Sequence, residues 1–136
     1  MINFDTMEKE LIIVDDDNVL LVILEKMFFR INPGLNIQTF SSGLMALDYL
    51  KNREFERMPF ILVDLYLSDI SGWKFLDELN CDEKFDSKVI LITSSVDSQV
   101  PKKSAQYKCI TGFFEKPINF EIIDRINKLI LSQTLN

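Results

Sequence analysis

Leu11-Ile12-Ile13-Val14-Asp15-Asp16-Asp17 is the stretch on which the fold of this chain turns. A short, β-branched apolar run reads as a strand buried on both faces, the kind found in parallel sheets. Ligand sites in such sheets lie just beyond the carboxyl ends of the strands. Three acids at that junction put concentrated negative charge where an α/β fold carries its chemistry. A solvated turn with a helix N-cap would use the same residue types, so the rest of the chain has to decide.

Working outward, apolar runs alternate with helical patterns. Asn18 to Ile31 carries Leu20, Ile23 or Leu24, Met27, Phe28 and Ile31 at helical spacing, and Pro33-Gly34 stops it. Ile37–Phe40 reads as a second strand, and Ser41-Ser42-Gly43 turns into a helix carrying Leu44, Leu47 and Leu50. Phe60-Ile61-Leu62-Val63 is the most central strand by its unbroken apolar character, and it ends on Asp64. A short helix follows over Gly72–Leu79, then a polar loop over Asn80–Lys88. Val89–Ile92 is a strand ending at Thr93-Ser94-Ser95, and a weak helix covers Ser98–Tyr107, with Pro101 tolerable only in its first turn. Ile110–Phe114 is the last strand, followed by Glu115-Lys116-Pro117. Asn119 caps a final helix with the stripe Ile122, Ile123, Ile126, Leu129 and Ile130. Five strand–helix units with short loops specify a doubly wound parallel sheet covered by helices on both faces. Residues 1–9 read as an extension and 10–134 as one domain.

Composition removes several classes of function. The 136 residues suffice for one domain with a core. A net charge of −6 argues against a general nucleic-acid binder. The basic cluster Lys102, Lys103 and Lys108 reads as a solvated helix face. No apolar run is long enough to span a bilayer, and the start has no signal-peptide pattern. Cys81 and Cys109 read as free thiols, which with the missing leader predicts a cytoplasmic protein. The chain contains no histidine, which excludes Ser-His-Asp and Cys-His enzymes and leaves only oxygen-bound hard cations such as Mg²⁺ as candidate metals.

The strand ends carry the functional signal. In a parallel sheet Asp15, Asp16, Asp64, Thr93 and Lys116 all fall on one edge. Two carboxylates about 4 Å apart repel by roughly 4 kcal/mol at a surface-like dielectric. Three either raise a pKa or recruit a cation. A metal, an ammonium and a hydroxyl around one carboxylate suit phosphoryl transfer, with the aspartate, already ionised at neutral pH, as nucleophile.

With these residues in view, the motifs Ile13-Val14-Asp15-Asp16-Asp17, Val63-Asp64-Leu65-Tyr66-Leu67-Ser68-Asp69-Ile70-Ser71-Gly72, Val89-Ile90-Leu91-Ile92-Thr93-Ser94 and Phe113-Phe114-Glu115-Lys116-Pro117 resemble the receiver domain of two-component response regulators, over roughly residues 9 to 134. The resemblance implies a flavodoxin-like, three-layer α/β/α fold of CheY-like type in a bacterial signalling protein. It implies that Asp64 accepts a phosphoryl group from a phosphohistidine on a sensor histidine kinase or phosphotransfer protein. Asp16 would bind Mg²⁺ directly, Asp15 through water, and the Tyr66 backbone carbonyl would be the third ligand. Lys116 would contact the phosphoryl group, and Thr93 and Phe113 would form the switch that alters the surface of the fourth helix, fifth strand and fifth helix for a downstream protein. Pro117 would follow Lys116 through a cis peptide. Ser94, in place of a usual Ala or Gly, is small enough to leave phosphate access. Leu67-Ser68 stands where the family commonly has Met-Pro, which predicts a loosened loop. The domain would modify itself and turn over no separate substrate, and no output domain would fit after Asn136 if the chain is complete there. Alternatives are a receiver cut from a hybrid kinase, and a haloacid-dehalogenase-like phosphatase with Asp15 as nucleophile and Asp17 as acid/base. The second would leave Asp64 without a role.

Overall fold

A computed structural model describes residues 9–55, 57–79 and 87–133. Five strands alternate with five helices: β1 (Glu10–Val14), α1 (Asn18–Ile31), β2 (Asn36–Phe40), α2 (Gly43–Lys51), β3 (Phe60–Asp64), α3 (Gly72–Leu79), β4 (Lys88–Thr93), α4 (Gln99–Ser104), β5 (Ile110–Glu115) and α5 (Phe120–Gln133). All sheet pairs are parallel, in the order β2-β1-β3-β4-β5. β3 is the middle strand, as its unbroken apolar run predicts. The chain leaves β1 toward β2 on one side and β3 on the other. The carboxyl ends of β1 and β3 therefore flank the point where strand order reverses, which is where a crevice forms in such sheets.

Side-chain alternation divides the core into two layers. Ile12, Val14, Ile61, Val63, Val89 and Leu91 face α2, α3 and α4, whereas Leu11, Ile13, Phe60, Leu62, Ile90 and Ile92 face α1 and α5. Phe113 packs into the first layer and Phe114 into the second, as adjacent strand residues must.

The helix faces need two corrections. α1 buries Leu21, Leu24 and Phe28, while Ile23 is exposed and Leu20, Met27 and Ile31 are half-buried. So many apolar residues crowd this helix that periodicity alone admits several stripes, and contact with the sheet selects one. In α2, Ala46, Leu47 and Leu50 are buried and Leu44 is exposed, because Leu44 sits in the first turn beyond the sheet edge. α4 is shorter than the weak helix expected over Ser98–Tyr107. It has Pro101 in its first turn and no side-chain cap from Ser98.

Cys109 is disulfide-bonded, which corrects its reading as a free thiol. Its carbonyl accepts from Val89 N–H at 2.8 Å, so it stands at the start of β4, the strand into which the Cys81 segment leads. Cys81, most of the loop expected over residues 80–88, and the expected extension apart from Lys9 lie outside the described residues, as does the end of the expected domain at 134. Among the described residues no helix is long and apolar enough to cross a membrane.

Candidate functional site

Three strands deliver the site. β1 ends before Asp15, which is fully buried, and Asp16, which is exposed. β3 ends on Asp64, 5% exposed. Lys116 follows β5 and reaches across the sheet edge, its Nζ 2.8 Å from both Asp15 Oδ2 and Asp64 Oδ2. Carboxylate oxygens of Asp15, Asp16 and Asp64 lie within 4.8 Å of one another.

The bonding around the acids is unequal. Asp64 Oδ1 accepts from Tyr66 N–H at 2.9 Å, and its Oδ2 accepts from Lys116. Asp15 Oδ1 accepts from Asp17 N–H at 2.9 Å. Asp15 Oδ2, by contrast, is buried without a directed hydrogen bond; its contact with Lys116 is close enough for an ion pair but off hydrogen-bond geometry. Burial pushes the Asp15 carboxyl above the usual carboxylate range, against the opposing pull of Lys116 and the Asp17 amide. Burial works against the Lys116 ammonium, yet the close contacts and charges of Asp15 and Asp64 outweigh it, and its pKa is raised.

Asp17 serves α1 rather than the cluster. Its Oδ1 accepts from Val19 N–H and Leu20 N–H, both at 3.1 Å, as an N-cap. Thr93, fully buried, turns its hydroxyl toward the following loop, donating to Ser95 O at 3.1 Å. Ser94 is exposed and, with Leu20, Ile23, Pro117 and Ile118, borders a shallow groove beside Lys116. The Lys116–Pro117 peptide is cis. Tyr66 projects outward, 57% exposed, at the rim of the site. Phe113 is half-buried on the α4 side of β5.

The structure adds contacts that pattern reading does not supply. Glu115 Oε1 accepts from Val96 N–H at 2.9 Å and ties the β4–α4 loop to β5. Trp73, half-buried at the start of α3, stacks on Tyr107, whose hydroxyl donates to Asp77 at 2.7 Å. Lys103 is exposed, as expected of a solvated face, and its Nζ lies 5.1 Å from the Trp73 ring centroid. The loop after Asp64, expected to be loose, is pinned. Gly72 N–H donates to Leu65 O at 2.9 Å, Tyr66 bridges Ser71, and Asp69 accepts from Ser42 Oγ and from the amides of Gly43 and Leu44. These bonds outweigh the partial burial of Asp69 and hold its carboxyl below the usual range. The Ser41-Ser42-Gly43 turn reads as the start of a helix, but no local pattern points to a capping acid about 25 residues away.

Residues 11–127 match the family model described as "Response regulator receiver domain". Among curated relatives, "Chemotaxis protein CheV2" of Helicobacter pylori is 27% identical over 90% of this chain, and "Probable methanogenesis regulatory protein FilR2" of Methanothrix harundinacea is 26% identical over 89%. The chain spans 39% of the length of the first and 83% of the second. Among solved structures, a CheY-like receiver domain protein from Methanospirillum hungatei superposes with a TM-score of 0.78 at 20% identity, covering 94% of this chain and 97% of that one. A two-component response regulator from Legionella pneumophila gives 0.75 at 28% identity, covering 92% and 99%.

Proposed function

The chain belongs to the response regulator receiver domain family, a family of signalling domains rather than substrate-turnover enzymes, and on that premise we propose that Asp64 is its phosphoryl acceptor. The observation that carries the proposal is the convergence of Asp15, Asp16, Asp64 and Lys116 from the ends of β1, β3 and β5. A carboxylate oxygen of Asp64 attacks phosphorus as the bond to a phosphohistidine nitrogen on a partner breaks, and the imidazole leaves. The partner is a sensor histidine kinase or a phosphotransfer protein. Lys116, already paired with Asp64 Oδ2, meets the charge that the phosphoryl oxygens bring. The phosphatase alternative has no support in the family match, and Asp17, its acid/base, is engaged as the α1 cap.

The donor set fits Mg²⁺. It consists of oxygen atoms only, and three carboxylates sharing one ammonium leave an excess of negative charge that a hard cation relieves. Asp16 and Asp64 would hold the ion directly, Asp15 through water, and Tyr66 by its backbone carbonyl. When bound, the ion supplies neutralisation of the phosphoryl oxygens. Exposed Ser94 leaves the approach to Asp64 open.

Thr93 and Phe113 carry the readout. The Thr93 hydroxyl leaves Ser95 for a phosphoryl oxygen, and Phe113 turns inward behind it, altering the α4-β5-α5 surface presented to a downstream protein. α4 is short and lacks a side-chain cap, which suits an element that shifts between two states. The testing experiment is incubation with Mg²⁺ and a small phosphodonor, followed by peptide mapping. The modification is expected on Asp64; finding it on Asp15 would support the phosphatase reading instead.

Two further outcomes are expected. Mg²⁺ at about 100 times its Kd stabilises by about 2.7 kcal/mol, so the melting temperature should rise by roughly 10 °C. Trp73, which opens α3 directly after the loop, should report the same titration by fluorescence. A melting curve indifferent to Mg²⁺ would remove the cation site. Tyr66→Asn replaces a bulky ring at the rim, which should let attacking water in and shorten the phosphoryl lifetime several-fold. Equal decay of labelled phosphate in the two proteins would show that Tyr66 does not shield the bond.

A further inference from the structure

We infer that Asp69 is a positioning residue for the cation site: it locks the loop after Asp64 onto the first turn of α2 and thereby fixes the Tyr66 carbonyl. The inference rests on the reading of the acidic cluster as a divalent-cation site.

The loop from Tyr66 to Ser71 contains neither proline nor glycine, so nothing in its own sequence stiffens it. The bonds of the Tyr66–Ser71 bridge, Gly72 N–H to Leu65 O among them, close it on itself. They do not set its angle to the sheet edge. That angle comes from α2. Ser42 Oγ donates to Asp69 Oδ2 at 2.7 Å, and Leu44 N–H to the same oxygen at 3.1 Å. Gly43 N–H donates to Oδ1 at 3.2 Å. The amides of a helix's first turn have no partner within the helix, so an acid there is held by need on both sides. Ser42 completes the arrangement, accepting from Met45 N–H at 3.1 Å while its own proton goes to Asp69.

Apolar contacts press the loop the same way. A Cβ added at Gly43 would collide with Ile70 Cγ2 and come within 2.9 Å of Leu67 Cδ1, so both side chains lie flush on the α2 start. At the loop's far end, a Cβ at Gly72 would meet Leu65 Cα at 2.8 Å and Asp64 O at 2.9 Å, which leaves α3 no room to slide. The loop is thus fixed at both ends to β3 and in its middle to α2. Tyr66 lies between these anchors. A carbonyl ligand has no rotatable side chain to correct an error, so the backbone tie determines whether it faces the ion. Partners that orient ligands in this way typically change metal affinity 10–100-fold when removed.

The test is calorimetric titration of the whole chain with Mg²⁺. Asp69→Ala should weaken Mg²⁺ binding about tenfold. Asp69→Asn, which keeps an oxygen acceptor, should recover most of that loss. Gly43→Ala, which pushes Leu67 and Ile70 away without changing charge, should weaken binding in the same direction. Asn32→Ala is the stability control. It removes the bond from Asn32 Nδ2 to Asn127 at the other end of α1 from the acids, and should lower the melting temperature while leaving Mg²⁺ affinity unchanged. Wild-type affinity in Asp69→Ala, or an equal loss in Asn32→Ala, would overturn the inference. Absence of Mg²⁺ binding by the wild-type chain would instead overturn the cation site itself, and is read before any variant is made.

Discussion

Asp64→Asn is expected to reduce phosphoryl incorporation from a small donor to background while leaving the fold intact. The asparagine keeps the size of the aspartate and retains an oxygen to accept from Tyr66 N–H, now at 2.9 Å from Oδ1. It loses the anionic oxygen, which is the proposed nucleophile, and a neutral amide oxygen does not replace it at neutral pH. Stability should hold, because one of three crowded negative charges is removed while Asp15 keeps Lys116. Retained far-ultraviolet circular dichroism with no incorporation is the expected pair of results. Incorporation at the wild-type level would take Asp64 out of the chemistry.

Lys116→Met should have the largest effect on stability among site variants. Its Nζ pairs with Asp15 and Asp64 at once, and Asp15 is fully buried. Removing one partner of a buried pair leaves an uncompensated charge; because the Lys116 side chain is 22% exposed, the low end of the usual cost applies, about 2–3 kcal/mol without divalent cation. The pH dependence follows from the shifts. Lys116 has a raised folded pKa, so its contribution is fully present at neutral pH and is lost only as pH rises through that folded value. Asp15 has a folded pKa raised above 3.8 by burial, so its ionisation costs stability progressively as pH rises through the raised value. Without Lys116 that penalty grows. Urea unfolding should therefore show a deficit at pH 7 that narrows toward pH 4 and shrinks when Mg²⁺ is added. A deficit independent of both pH and Mg²⁺ would mean that lost packing of the lysine stem, not charge, is responsible.

The parts of the molecule written in periodicity were readable directly. Strand runs such as Phe60–Val63 are apolar on both faces because both faces are covered, and their ends mark where polar groups must emerge. That is why Asp15, Asp64 and Lys116 could be grouped before any coordinates. What periodicity could not supply was the choice among equivalent stripes. α1 carries apolar residues on most of its circumference, so Leu21 and Leu24 were separable from Leu20 and Ile23 only by contact with the sheet. Long-range polar contacts were equally silent. Asp69 reads locally as one more loop acid, and its service to α2 depends on a juxtaposition of segments about 25 residues apart. The Cys109 disulfide was missed because composition speaks to compartment and not to which thiols the fold brings together.

The shared ammonium also has a consequence for how the molecule is made. Asp15 belongs to the first strand–helix unit and Lys116 to the last, 101 positions later in the chain. At about 5–20 residues per second of synthesis, Asp15 emerges roughly 5–20 s before its counter-charge exists, and Asp64 about half that time before it. Until then, unless a cation holds them, β1 and β3 pair only by bringing Asp15 and Asp64 together without the ammonium. The repulsion falls when β5 docks beside β4 and carries Lys116 over the edge. The ammonium is thus the last charge of the cluster to be made: a nascent chain without its last strand holds these acids with no counter-charge of its own at the site.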